Sequence, residues 1–267
     1  MIREAIVAGQ FYPAVSHLLK KQIESMIEKT TRKEKVIGLL SPHAGYIYSG
    51  QVAGALFSRT QITDTVVILG PNHTGIGPAF SLYKDGCWRT PLGDVEIDVV
   101  VADDISKACN LIKQDKSAHA YEHSIEVQLP FMQYFNSGLK IVPIVVSHAE
   151  FEAYESVAQA IASSIKKQKR DIMIVASSDM SHYEPHQRVQ QKDKIAIDAI
   201  LKLDEKLLLK SVQEHDISMC GYIPATIMLI AAKLLGAEKA RLVKYQTSGD
   251  VSGDYSAVVG YAGIMVI

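Results

Sequence analysis

Long apolar runs are missing from this 267-residue sequence. No stretch reaches the roughly 20 consecutive apolar residues that cross a bilayer, so a membrane-spanning protein is not expected. The opening residues, MIREAIVAGQFYP, place an acid and turn formers where a secretory signal needs an unbroken apolar core, which points to the cytoplasm. An excess of either charge is missing too: 28 Lys and Arg face 29 Asp and Glu, for a net −1 with His neutral. The densest basic cluster, KKQKR at 166–170, suits the solvated C-terminal end of a helix, and no nucleic-acid footprint is present. Cysteine is scarce. Cys87, Cys109 and Cys220 are odd in number, widely spaced and free of any CxxC pattern, which excludes a disulfide framework and a structural zinc knuckle. There is no low-complexity tract, no Pro/Gly/Ser linker and no shift in composition, so residues 1–267 are expected to form one domain.

What the chain does have is alternation. Four short β-branched runs, at 36–40, 65–70, 140–146 and 171–177, carry the continuous apolar character of strands buried on both faces. Helical spacing of apolar residues appears at 17–29, 51–59, 124–135, 151–167, 187–201 and 222–235. Crossovers of that length favour parallel pairing. The expected fold is therefore an α/β domain with a mostly parallel central sheet covered by helices on both faces. The tail from Ala240 onward reads as two strands around a Gly/Ser/Asp turn, and its SGDVSGD segment at 248–254 suits a hairpin loop better than an anion cradle.

Ligands in such sheets collect beyond the carboxyl ends of the strands, because loops converge there on a rigid support. His43, in SPHAG, follows the first run; His73, in GPNH, follows the second; His182, in SSDMSH, follows the fourth. Imidazoles on stiffened turns are suitable ligands for zinc, copper or iron, and they also serve as hydrogen-bonded loop residues. Asp179 lies three residues before His182, where it either orients that ring as a proton-transfer pair or caps a helical turn. In YEHSIE, Glu122 and Glu126 would share a helix face with His123 near Glu126, and acids at a helix start also answer the macrodipole. Cys220 stands before a helix, where free N–H groups would lower its pKa, or it is a small buried hydrophobe. His119 and His148 read as surface or loop residues.

Seven segments occur in an order that resembles the Memo family: AGQFYP, SPHAGYIYSG, GPNH, EHSIEVQLPF, SSDMSHY, CGYIP and YQTSGD with VVGYAG. That family is similar in fold to the class III extradiol ring-cleaving dioxygenases, which are nonheme-iron enzymes. The resemblance implies that His43, His73 and Cys220 are the metal-facing positions, that His182 is the catalytic base, and that Asp179 and His123 also line the cleft. It implies iron(II) or copper as cofactor, with zinc also suited. A thiolate at position 220, where the dioxygenases have a carboxylate, favours softer metals than theirs. Animal members of the family are associated with cell motility and phosphotyrosine segments, and prokaryotic ones with an AMMECR-type protein and a radical-SAM protein.

Two functions follow as expectations. One is a metal-dependent oxidoreductase of dioxygenase-like type acting on an unidentified substrate. The other is a non-catalytic module that binds a peptide or protein in the cleft of an enzyme ancestor, since fold does not fix function. In either case the partner is a small molecule or peptide, not a nucleic acid or a membrane.

Overall fold

The computed structural model describes residues 1–30 and 32–267. Its strands are β1 (Ile2–Arg3), β2 (Gly38–Ser41), β3 (Thr65–Pro71), β4 (Phe80–Leu82), β5 (Cys87–Thr90), β6 (Gly93–Ile97), β7 (Lys113–Gln114), β8 (Lys140–Val146), β9 (Ile172–Ser177), β10 (His182–Glu184), β11 (Ala240–Thr247) and β12 (Val258–Val266). The helices are α1 (Ser16–Met26), α2 (Tyr46–Ser58), α3 (Val99–Ala108), α4 (Ser117–Ala120), α5 (Leu129–Phe135), α6 (Phe151–Lys167), α7 (His186–Leu201), α8 (Glu205–Glu214), α9 (Tyr222–Leu234) and α10 (Gly249–Ser252). Among the described residues no helix is long and apolar enough to cross a membrane.

The main path through the sheet runs β1-β5-β6-β8-β3-β9-β2-β12-β10. From β6 to β2 every neighbour is parallel, and β12 closes this block antiparallel to β2 with β11 on its other side. Helices α1, α2 and α5 pack together on one face; α9 lies against β2, β3 and β9 on the other, backed by α6 and α8. Strands β3 and β9 are buried at every residue, and so is β2, because helices cover both sides. This is the doubly covered, mostly parallel sheet that the apolar runs predict.

The chain passes from β2 outward to β3 and β8, then returns through α6 to place β9 between β3 and β2. That reversal opens a crevice at the carboxyl ends of three adjacent strands. Ser41 is level with Ser177 and Leu69 with Ala176, so the turns after β2, β9 and β3 leave the sheet at one height.

Several elements differ from the sequence expectation. Helix α2 begins at Tyr46, not at 51, because the Tyr46 N–H donates to the Phe11 carbonyl and its buried hydroxyl to the Val127 carbonyl. The helix expected at 124–135 is a 3-10 turn at Glu126–Gln128 followed by α5, with Pro130 in its first turn. Helices α3 and α8 are additional; Asp98 and Asp204 cap them by accepting from Val101 N (3.2 Å) and Leu207 N (2.8 Å). The short strands between Phe80 and Ile97 were also unforeseen, whereas the C-terminal hairpin forms as expected around α10.

Candidate metal centre

The turn after β2 delivers His43, a buried residue whose backbone N–H donates to Asp179 Oδ1 at 2.8 Å. Its ring Nδ1 lies 2.9 Å from Ser177 Oγ. Ser177 gives its one hydroxyl proton to the Ser124 carbonyl (2.6 Å) and accepts from Gln128 Nε2 (2.8 Å). The serine oxygen can therefore only accept from His43, which places the imidazole proton on Nδ1 and the lone pair on Nε2. Burial, reinforced by neighbouring imidazoles, pushes the pKa of His43 well down and keeps the ring neutral.

The turn after β3 delivers His73. Glu122 grips it twice, accepting the backbone N–H at 2.6 Å and facing ring Nδ1 at 3.0 Å, so Nε2 is again left free. Burial by itself would raise the Glu122 carboxyl. The bond and charge of His73, with N–H donors from Ser124 and His73, outweigh it and hold Glu122 at about 2. Burial likewise lowers His73, but the carboxylate more than compensates and its pKa is raised. Glycine at 70 permits this grip: a Cβ there would sit 2.5 Å from Ser124 Oγ, where the 122–125 segment crosses the strand end.

His123 stacks on His73 with centroids 4.9 Å apart and an interplanar angle of 17°, and meets His43 edge-on at 5.5 Å. Donor atoms of His43, His73 and His123 all lie within 4.8 Å of one another and can hold a metal ion. A partner that holds Nδ1 fixes the tautomer and leaves Nε2 available, which is how histidine ligands are prepared for a metal.

Cys220, just before α9, brings Sγ to 3.3 Å from His43 Nε2 and accepts the Asp179 N–H at 3.2 Å. A Cβ at Gly221 would stand 2.3 Å from the Ser177 carbonyl, so only glycine lets the thiol come this close to the end of β9. The expected lowering of the thiol pKa does not hold. The Gly221 N–H is committed to Ser178 Oγ, and burial followed by the Asp179 charge pushes the thiol up.

Asp179 and His182 also meet the cleft, but not as a bonded pair. The Asp179 carboxylate is turned to the backbone of His43 and Ala44, and its pKa is raised, chiefly by burial. His182 is instead oriented by Ser218, whose carbonyl lies 2.9 Å from Nδ1 and whose hydroxyl accepts the backbone N–H at 2.8 Å. The carbonyl can only accept, so His182 Nε2 carries the lone pair.

His43, His73, His123, Asp179 and His182 line a cavity of about 490 Å³, with Phe11 and loop 248–257 on its margin. Cys220 is held behind it by the contact with His43. Sequence reasoning missed Ser177, Ser218 and Gln128, and read Glu122 as a helix-start acid. Glu126, the other half of that reading, is no cleft residue: it accepts from Arg3 Nη1 (2.5 Å), Tyr12 OH (2.6 Å) and the N–H groups of Ile6 and Val7. His119, expected at the surface, is buried and reaches the Ser81 carbonyl through Nε2, whereas His148 is exposed in a loop as expected.

Fold and site together define an α/β protein with a pre-organised imidazole cluster at the carboxyl edge of a mostly parallel sheet. A crystal structure of an uncharacterized protein from Escherichia coli K12 has the same fold, with a TM-score of 0.56 at 12% identity over 85% of this chain and 98% of that one. The family model "Memo-like protein" matches residues 3–265, and the chain belongs to the Memo family. A "MEMO1 family protein" of Methanocaldococcus jannaschii is 46% identical over 284 residues, and one of Methanopyrus kandleri 43% over 279, each match spanning 99% of both chains.

Proposed function

We propose that this Memo-family protein is a cytoplasmic, metal-dependent oxidoreductase of dioxygenase-like type, with iron(II) or copper, or else zinc, held at the end of β2 and β3. The observation that carries this is the tautomer control: His43 and His73 are each bound through Nδ1 by a buried partner, which leaves Nε2 free as a donor, and the two rings belong to one cluster of donors within 4.8 Å. His123, stacked on His73, belongs to the same cluster, and Cys220 lies against His43 Nε2. A donor set of neutral imidazoles and one thiol fits borderline metals, and the thiol proton leaves on ligation despite its raised pKa.

A bound ion would supply Lewis-acid or redox chemistry, and the protein supplies the proton path. His182 accepts a substrate proton at Nε2, because its Nδ1 proton is committed to the Ser218 carbonyl. Asp179 holds the His43 backbone, so its contribution is to the position of a ligand.

Metal analysis of anaerobically purified protein tests the reading. About one ion per chain is expected, lost in His43→Ala and His73→Ala and kept in His182→Ala, while turnover with oxygen falls about 10²–10⁴-fold in the last variant. Cys220→Ser and His123→Ala, titrated in parallel, decide which completes the ligand set. Protein that takes up no iron, copper or zinc refutes the proposal.

A further inference from the structure

The outer half of the cleft has a chemistry separate from the histidines. Tyr48, Tyr183 and Tyr261 line it together with Asp254, and the lining contains neither lysine nor arginine. An anionic ligand would find carboxylates and no fixed cation there.

Asp254 is built to stay charged and available. Its Oδ1 accepts from the Ser256 N–H (2.9 Å) and hydroxyl (2.6 Å), which holds the carboxyl below its ordinary range. Oδ2 has no hydrogen-bond partner among the described residues and remains free for a ligand. Tyr183 is 78% exposed yet has φ +59°, a left-handed conformation that side chains other than glycine, Asn and Asp seldom adopt. It sits where the β10–β12 register shifts, and its ring meets His182 edge-on at 5.7 Å. The bulge thus sets a largely exposed ring beside His182 on the margin of the cavity.

We propose that this half of the cleft is a subsite for a cationic amine, its ammonium on the free Asp254 oxygen and against the rings of Tyr48 and Tyr183. Tyrosine faces attract a cation through the ring quadrupole, and a carboxylate adds a charge-assisted bond. The cavity, about 490 Å³, is of the size that encloses small ligands, so the occupant is a small amine whose far end reaches the histidines. This rests on the cleft being the ligand site of the function proposed above.

Benzylamine, benzyl alcohol and benzoate share a ring and differ in charge. Their binding to the full-length protein, followed by NMR titration after chelator treatment and again after zinc loading, tests the subsite. Benzylamine is expected to bind about tenfold more tightly than benzyl alcohol, with benzoate weakest in the metal-free form. Asp254→Asn keeps the Ser256 bonds and should remove the amine preference while leaving benzyl alcohol unchanged. Tyr183→Gly, which takes φ +59° without strain and so folds, should weaken benzylamine several-fold. Equal affinity for all three ligands, a preference for benzoate in metal-free protein, or an amine preference that survives Asp254→Asn overturns the proposal. Protein that binds no metal but keeps the preference refutes the metal reading alone, whereas metal binding without the preference refutes only the subsite.

Discussion

The two ends of the sheet offer cavities of similar size and opposite character. At the carboxyl end, about 490 Å³ is bounded by imidazoles, of which His43, His73 and His182 have Nδ1 held by a buried or backbone partner. At the other end, about 350 Å³ lies among Ile37, Ile172, Leu235 and Ile267, and its charged groups, Lys35, Arg170 and Asp171, lie at the surface. Lys35 and Asp171 pair there at 2.7 Å with 72% and 68% of their side chains exposed. A cavity becomes a site when its donors are fixed before a ligand arrives, and only one end of this protein has made that investment in buried polar partners.

Removing the fixation should produce the largest effect. Arg3 is buried over the Trp88 ring at 4.1 Å and ties three parts of one segment: Glu126 by an ion pair, the Glu122 carbonyl at 2.6 Å and the His119 carbonyl at 2.9 Å. It thereby fixes the segment that carries His123. Arg3→Leu leaves the Glu126 charge buried without its cation, at a cost of about 3–5 kcal/mol. Urea unfolding measures it, and metal affinity should fall as well. A loss under about 1 kcal/mol would mean that the segment holds itself.

The next effect sharpens the comparison by changing charge without changing shape. Glu122→Gln keeps an acceptor near His73 but removes the carboxylate, and metal affinity is expected to drop about 10–100-fold. The pH dependence has a worked sign. Glu122 lies at about 2 in the fold, below its ordinary 4.5, so its contribution is present above 4.5 and lost as pH falls. His73 is raised above its ordinary 6.5, so its contribution is present below 6.5 and lost as pH rises through the folded value. The difference in melting temperature between wild type and Glu122→Gln should therefore be widest from about 4.5 to 6.5. A difference independent of pH would show that the two groups do not stabilise one another.

How much of this was legible depended on how local the cause was. Strands β3 and β8 were readable nearly to the residue because burial on both faces leaves a continuous apolar run; the runs at 36–40 and 65–70 placed His43 and His73 at strand ends. Helices α3 and α8 were missed, although Asp98 and Asp204 are ordinary caps and each helix buries one apolar face. Glu122 looked like a helix acid since nothing in YEHSIE reveals that its carboxylate reaches 49 positions back to His73. Ser177 read only as the last residue of a strand run for the same reason: its partners, His43, Ser124 and Gln128, come from other elements. The expected Asp179–His182 pairing failed because spacing of three directs side chains to each other only within a helix, and the chain here turns into β10. Motif resemblance located the cleft residues; the second layer that fixes them became visible only in three dimensions.

The smallest expected effect is at the far end of the sheet, and it is the control on which the contrast depends. Lys35 and Asp171 make a short ion pair, closer than many contacts in the metal centre. Length is a poor guide to energy here. Both groups are solvated in the unfolded and the folded chain, so little desolvation is reversed when the pair breaks, and salt screens what attraction remains. Lys35→Ala and Asp171→Ala should each change stability by less than about 0.5 kcal/mol, and the coupling between them in a double-mutant cycle should shrink further in 0.5–1 M salt. Metal stoichiometry should not change. A coupling that approached the Arg3→Leu loss, or that persisted in high salt, would mean that the pair is held as rigidly as the imidazoles, and the two ends of the sheet would no longer differ in kind.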